Sequence, residues 1–338
     1  MHGRTRLSAA GDTERVATTV HTPPTSHPTR GTVLILASSL CFGVSGPIAK
    51  PAMQAGMTAE QVTAARIAIA ALVLLIGVGL SQPSALRIRR TQWRLVAGYG
   101  LLGVSGIQLC YFFAVSRLPV GIALLLEYLS PVLVALWVRL IRRTVLPQLM
   151  WLGTGLAVLG LATMVQVWHG LRLDALGLLA GVAAACCSAA YFLIGERGAH
   201  TMNPLGLVTW GMLLGAVAVA VVSPPWRMPF EVFDARAEFG PWQPPVWALL
   251  LAVALLATVL AYLSGIAALR HLPPNVASVL ALAEPVVATV AAWLLLGETL
   301  TPIQLVGAAV LLSGAAIVQR ATSRPTTVAE PLPSDPRE

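Results

Sequence analysis

The chain carries ten apolar stretches of roughly the length that crosses a bilayer as a helix, about 20 residues. They fall near 32–50, 59–80, 95–116, 119–141, 147–167, 175–195, 205–223, 246–269, 274–296 and 301–319. Of 338 residues, 57% are hydrophobic and 11% charged, against about 25% charged in soluble domains. The solvent for so apolar a chain is lipid. In lipid, backbone N–H and C=O groups must be satisfied inside the chain, which leaves helices or closed barrels. A barrel would show alternating segments of about ten residues. The expected fold is therefore an all-α membrane protein with ten transmembrane helices. The polar ends, residues 1–30 and 321–338, read as disordered cytoplasmic tails. The first of them has no apolar core of a cleaved leader.

Orientation follows from the basic residues. With the N-terminus inside, sixteen Lys and Arg fall on the cytoplasmic side and five outside, and Arg66 within a span completes the 22. Arg87, Arg89 and Arg90, with Arg139, Arg142 and Arg143, decide most of that asymmetry. Both termini are expected to be cytoplasmic. The net charge of +8 is thus a topology signal, and no nucleic-acid partner is implied. Cys41, Cys110, Cys186 and Cys187 all lie in apolar runs and read as small core residues, neither disulfides nor metal ligands. In the long connection 223–245, Trp226, Phe230, Phe233 and Trp242 suit a membrane–water interface.

The chain repeats itself. A shift of 154 places Leu118, Pro119, Ala123, Leu126, Pro131 and Val132 on Leu272, Pro273, Ala277, Leu280, Pro285 and Val286, and carries Gly153 and Gly160 to Gly307 and Gly314. Earlier in each half the shift is 146, which sets Cys41 on Cys187 and Val62-Thr63 on Val208-Thr209. The halves are expected at 31–167 and 175–320, five helices each. Five is odd, so the second half must enter the membrane inverted. Two inverted five-helix repeats make the architecture of an alternating-access carrier, with its site near the bilayer midplane.

Three charges fall well inside the spans, away from their ends: Arg66, Glu127 and Glu284. A charge at the bilayer centre costs about 3 to over 10 kcal/mol, so each must be neutralised, paired or wetted. Under the 154 shift Glu284 lies on Ser130, three residues past Glu127, which is the same helix face one turn along. Both carboxylates are read as facing one cavity, binding a substrate amine or a coupling proton; the alternative is a protonated Glu bonded to a neighbouring helix. Arg66 either holds a substrate carboxylate or pairs with Glu127, or else snorkels or forms a fixed structural ion pair. Pro131 and Pro285, equivalent in the two halves, remove an N–H each. They are expected to open the carbonyls of Glu127 and Ala281 and to act as hinges. Tyr128 and Trp210 are candidate cavity-lining residues, the other intramembrane aromatics packing or lipid-facing.

The stretch "LPPNVASVLALAEPVVATVAAWLLLGETLTPIQLVGAAVLLSGAAIV" (272–318), its counterpart "LPVGIALLLEYLSPVLVALW", and "AARIAIAALVLL" (64–75) with its embedded Arg resemble the drug/metabolite transporter superfamily, and within it the EamA-type carriers. The likeness covers about residues 31–320. One departure is clear: Gly297-Glu298 ends the fourth helix of the second half, but Arg143-Thr144 stands there in the first. The resemblance implies a transporter of small metabolites such as amino acids in a bacterial plasma (inner) membrane, many relatives working by proton exchange. The expectation is an exporter with a small-molecule substrate, protons as possible partners, membrane lipids around it, and a monomeric or homodimeric state. No HExxH and no P-loop is present, so no enzyme, cofactor or metal centre is expected. A non-transport scaffold with structural buried charges is the alternative reading.

Overall fold

The computed structural model describes residues 28–118, 120–166, 174–297, 299 and 301–323. Residues 1–27 and 324–338 of the tails, Pro119, the link 167–173, Glu298 and Leu300 lie outside the described residues. Ten helices run in order: α1 Pro28–Gln54, α2 Ala59–Ser81, α3 Arg90–Val115, α4 Ile122–Leu140, α5 Gln148–Met164, α6 Ala175–Thr201, α7 Pro204–Val222, α8 Val246–Ala268, α9 Pro274–Leu296 and α10 Pro302–Ala321. Among the described residues nine of them are long and apolar enough to cross a membrane, and α5, with 17 residues, is the shorter tenth. The outer surface is apolar, as lipid requires: Leu72, Ile76, Leu80, Leu152, Leu159, Leu179, Val217, Val221 and Leu294 are all exposed.

Local signals set the helix ends. Thr58 and Gln61 form a reciprocal capping box at the start of α2, and the side chains of Asp174 and Asn203 cap α6 and α7. Such caps satisfy N–H groups that a helix leaves orphaned. The connection 223–245 folds over one end of the bundle. Val232, Phe233, Ala235 and Phe239 pack on a cluster formed by Ile48, Ala52, Val62 and Leu249. Trp226, Phe230 and Trp242 stay exposed on it, and Gly240 turns the chain with φ +59°.

The halves interlock by exchange. α1 packs on α8 and α9, and α6 packs on α3 and α4. The first helix of each half thus lies against the third and fourth helices of the other. Toward the periphery α2 meets α7, and α5 meets α10, each pair joining the two halves. A Cβ on Gly153 would lie 2.8 Å from the Gly314 carbonyl oxygen, and one on Gly160 would lie 2.3 Å from the Leu311 nitrogen and 2.8 Å from the Gly307 oxygen. Gly153 therefore opposes Gly314 while Gly160 opposes Gly307. The numbers rise along one helix as they fall along the other, so α5 and α10 run antiparallel, as inverted repeats require.

α3 and α8 share a feature that hydropathy does not announce. Each is interrupted by a π-helical stretch, Tyr99–Gly106 in α3 and Leu255–Leu260 in α8. The 154 shift lays one over the other. Wider turns leave carbonyls in need of donors, and hydroxyls supply them. Ser105 donates to the Gly100 and Leu101 oxygens at 3.2 and 3.0 Å, and Thr258 to the Val253 oxygen at 3.2 Å. Such stretches re-aim the residues after them and are frequent at functional sites.

The α5–α10 seam predicts a contrast. Gly160→Val should cost about 1–3 kcal/mol or more by overpacking and lower the thermal transition in detergent. A Cβ at Gly155 meets nothing within 4 Å, so Gly155→Ala should be neutral or stabilising by up to about 1 kcal/mol.

Candidate functional site

The site is built where α4 and α9 break. The helical pieces are Val120–Glu127 and Ser130–Leu140 in α4, and Pro274–Leu280 and Ala283–Leu296 in α9. Pro131 and Pro285 each fall in the first turn of the second piece, where a missing N–H leaves no helical bond unmade. The interruption differs from a simple kink that opens two carbonyls. The Ala281 oxygen accepts from the Glu284 N–H at 2.9 Å, so a tightened turn fills it. Glu284 is the second residue of its piece, near a helix N-terminus, where the dipole favours a carboxylate. Glu127 is the last residue of its own piece.

Both carboxylates face one central cavity between the halves. Its deep chamber, about 100 Å³, is lined by Glu127, Glu284, Tyr128, Tyr191, Tyr262 and the hydroxyls of Ser38, Ser39, Ser130, Ser188 and Ser278. Its outer chamber, about 330 Å³, shares Glu127, Glu284 and Tyr128 and adds Arg66, Ser45, Tyr111 and Thr289. That chamber extends to Met164 and Val165, which end α5 on the side away from the arginine clusters. Two carboxylates and one guanidinium thus share one space. The guanidinium Nη1 donates to Ser45 Oγ at 2.9 Å, and its Nε finds no partner among the described residues. Glu284 and Glu127 act on Arg66 electrostatically across the cavity. Tyr128 sets its hydroxyl against Glu284.

The hydroxyls are partly committed. Ser38 donates to the Ala261 oxygen at 2.8 Å, and Ser188 to Ser130 Oγ at 3.0 Å. Each keeps lone pairs for a donor in the cavity. Behind them lies an aromatic floor. Tyr191 meets Tyr99 and Tyr262 at centroid distances of 5.7 Å, and Phe42 meets Tyr262 at 5.0 Å. The Tyr191 hydroxyl is buried with no partner among the described residues. A buried O–H without an acceptor costs about 1–3 kcal/mol, so this donor is set for water or a bound solute.

The structure thus brings Glu127, Glu284, Arg66 and Tyr128 together, with Pro285 beside them on the outer chamber wall. Pro131 is buried one residue past the cavity-lining Ser130. Trp210 stands apart. Its Nε1 donates to the Leu86 oxygen at 3.0 Å, and its ring packs edge-on against Trp93 at 5.3 Å, so it ties α7 to the α2–α3 link. Cys186 is exposed and the other three cysteines are half-buried. Tyr111, Tyr191 and Tyr262, expected among the packing or lipid-facing aromatics, line the cavity instead, and so does Gln108, whose amide inside an apolar run was the signal for it.

The model of the EamA-like transporter family matches residues 29–166 and again 175–320. The threonine/homoserine exporter RhtA of Escherichia coli (strain K12) is 33% identical over 248 residues, covering 73% of this chain and 77% of that protein. Its namesake in Salmonella typhimurium (strain SL1344) is 31% identical over 274 residues, covering 81% and 85%. A solved crystal structure superposes with a TM-score of 0.71 over 88% of this chain and 99% of the other at 19% identity, a likeness that shows the fold alone.

The aromatic floor is fixed by a glycine. A Cβ on Gly265 would lie 2.6 Å from the Tyr191 hydroxyl and 3.0 Å from Ser38 Oγ. Gly265→Ala should push Tyr191 into the deep chamber and weaken solute binding by roughly tenfold or more, about 1.4 kcal/mol, while the protein stays folded. Solute titration by calorimetry beside a thermal melt checks both.

Proposed function

The chain belongs to the EamA-like transporter family, and on that premise we propose that it exports a small neutral α-amino acid, of the kind that the relatives' names specify, by alternating access driven by proton exchange. One observation carries the reading: a guanidinium and two carboxylates face the same cavity between inverted halves. A zwitterion matches that pattern. Its carboxylate meets Arg66, whose Nε still lacks a partner, and its ammonium meets Glu127 or Glu284. The count leaves one carboxylate more than the protein's own cation; a proton balances it, and the solute ammonium, whose own carboxylate takes up the Arg66 charge, competes with that proton for a carboxylate. That is the chemistry of exchange, because the two cations compete for one seat. The serine lone pairs of the deep chamber suit a short polar side chain, and about 100 Å³ is small for an aromatic one.

In this reading Pro131 and Pro285 mark the places where α4 and α9 bend as the cavity changes sides. With both termini in the cytoplasm, the outer chamber faces away from the cytoplasm. On the cytoplasmic side, Arg142 just past α4 forms a bidentate ion pair with Glu196 of α6, Nη1 to Oε1 at 3.1 Å and Nη2 to Oε2 at 2.5 Å. It holds the halves together there. A scaffold would have no use for a polar cavity at the repeat interface.

Two measurements test this. A C-terminal fusion should be active with a cytoplasmic reporter such as green fluorescent protein and inactive with periplasmic alkaline phosphatase. Purified protein in liposomes should move labelled threonine or homoserine under an imposed pH gradient. Glu127→Gln should fold and lose roughly thirtyfold in solute affinity, about 2 kcal/mol for a lost charged hydrogen bond. Flux that ignores the gradient would remove the proton; no amino-acid flux from folded protein would remove the substrate class.

A further inference from the structure

A second cavity lies beside the central one. It measures about 290 Å³ and opens between the last turns of α3 and α7 and the first turn of α2, lined by Glu60, Thr63, Phe112, Phe113, Ser116 and Ser223 among others. These are helix ends on the face away from the arginine clusters. Gln108 lines this side chamber, the deep chamber and the outer chamber, and is the one residue common to all three. It is the second residue of the helical piece Ile107–Val115, directly after the π-helical stretch of α3. One added residue per turn rotates the downstream residues by about 100°. The π stretch is thus what aims Gln108 at the wall between the chambers. Its amide is half-buried and makes no hydrogen bond among the described residues.

The other wall of the passage comes from α2. Glu60, Thr63 and Arg66 recur every three residues, each about 60° round the helix from the last, so neighbours in the row adjoin and the row slants round α2. The first two line the side chamber and the third lines the outer chamber. A polar row therefore runs from the membrane face to mid-depth, and Gln108 stands opposite its middle.

We propose that the side chamber is a second solute site on the exit path and that Gln108 is the positioning residue that passes solute between the central cavity and this chamber. The inference rests on the amino-acid reading of the central cavity. The ligand is the same class, a small zwitterion: its ammonium is held by the Glu60 carboxylate, and the Thr63, Ser116 and Ser223 hydroxyls surround its polar end. Gln108, with two donors and one acceptor, answers either end of the zwitterion as it passes. Phe112 and Phe113 shield the chamber from lipid.

Cysteine protection tests it. In a chain with its four cysteines replaced by alanine, Thr63→Cys and, separately, Tyr111→Cys are modified by a cationic methanethiosulfonate, with and without saturating L-threonine. Threonine should slow modification at least fivefold at both positions. Adding Gln108→Trp should keep protection at the Tyr111→Cys position, abolish it at the Thr63→Cys position, and cut threonine flux at least tenfold. Protection at the Tyr111→Cys position alone in the parent chain, or wild-type flux through Gln108→Trp, overturns the side site and leaves the central reading standing. Protection at neither position overturns both. Should Gln108→Trp fail to fold, protection at Thr63→Cys in the parent chain decides.

Discussion

Everything in this fold answers to one constraint: within the bilayer no water is present to satisfy a polar group. Each departure from plain apolar helix therefore comes with its own compensation. The breaks in α4 and α9 fall where prolines sit in a first turn. The π stretches of α3 and α8 are each held by a hydroxyl on a freed carbonyl. The serines of the deep chamber donate their protons to backbone or to each other. Among the described residues the Arg66 Nε and the hydroxyls of Tyr191 and Tyr99 have no hydrogen-bond partner. Arg66 and Tyr191 line the central cavity, where a transported solute can answer them; Tyr99 packs behind Tyr191.

Much of the architecture was legible in residues alone, because hydropathy and the repeat are both linear signals. Ten helices follow from run lengths, and inversion follows from an odd count. The opposed pairs Gly153–Gly314 and Gly160–Gly307 give the antiparallel crossing that the repeat implied. The carboxylates were legible for a different reason: a charge in lipid is costly enough to demand an explanation. The fine geometry was not. Pro285 signals a break, but only backbone positions show that Glu284 N–H fills the Ala281 carbonyl. A π stretch has no composition of its own; Tyr99–Gly106 reads as ordinary apolar helix. Trp210 illustrates the opposite error, since an intramembrane indole suggests a cavity yet donates to a carbonyl in a link between helices.

The halves match in outline and differ in chemistry. Position 130 is serine where position 284 is glutamate, Met212 stands where Arg66 stands under the 146 shift, and Tyr262 lies where Gln108 does under the 154 shift. A symmetric scaffold can rock between two equivalent shapes. Asymmetric side chains let the two shapes bind solute with different affinity, which sets the rates on each side, while the gradients set the direction of net transport.

The α5–α10 seam has a consequence for descent. Its two contact points are backbone against backbone, with no side chain between them to absorb error. They are seven residues apart on each helix, so one residue gained or lost between Gly153 and Gly160 would misalign both ends together. A matching change in α10 would have to arrive with it. The seam thus ties the lengths of the two halves to each other, while it places no such demand on their surfaces and cavity linings.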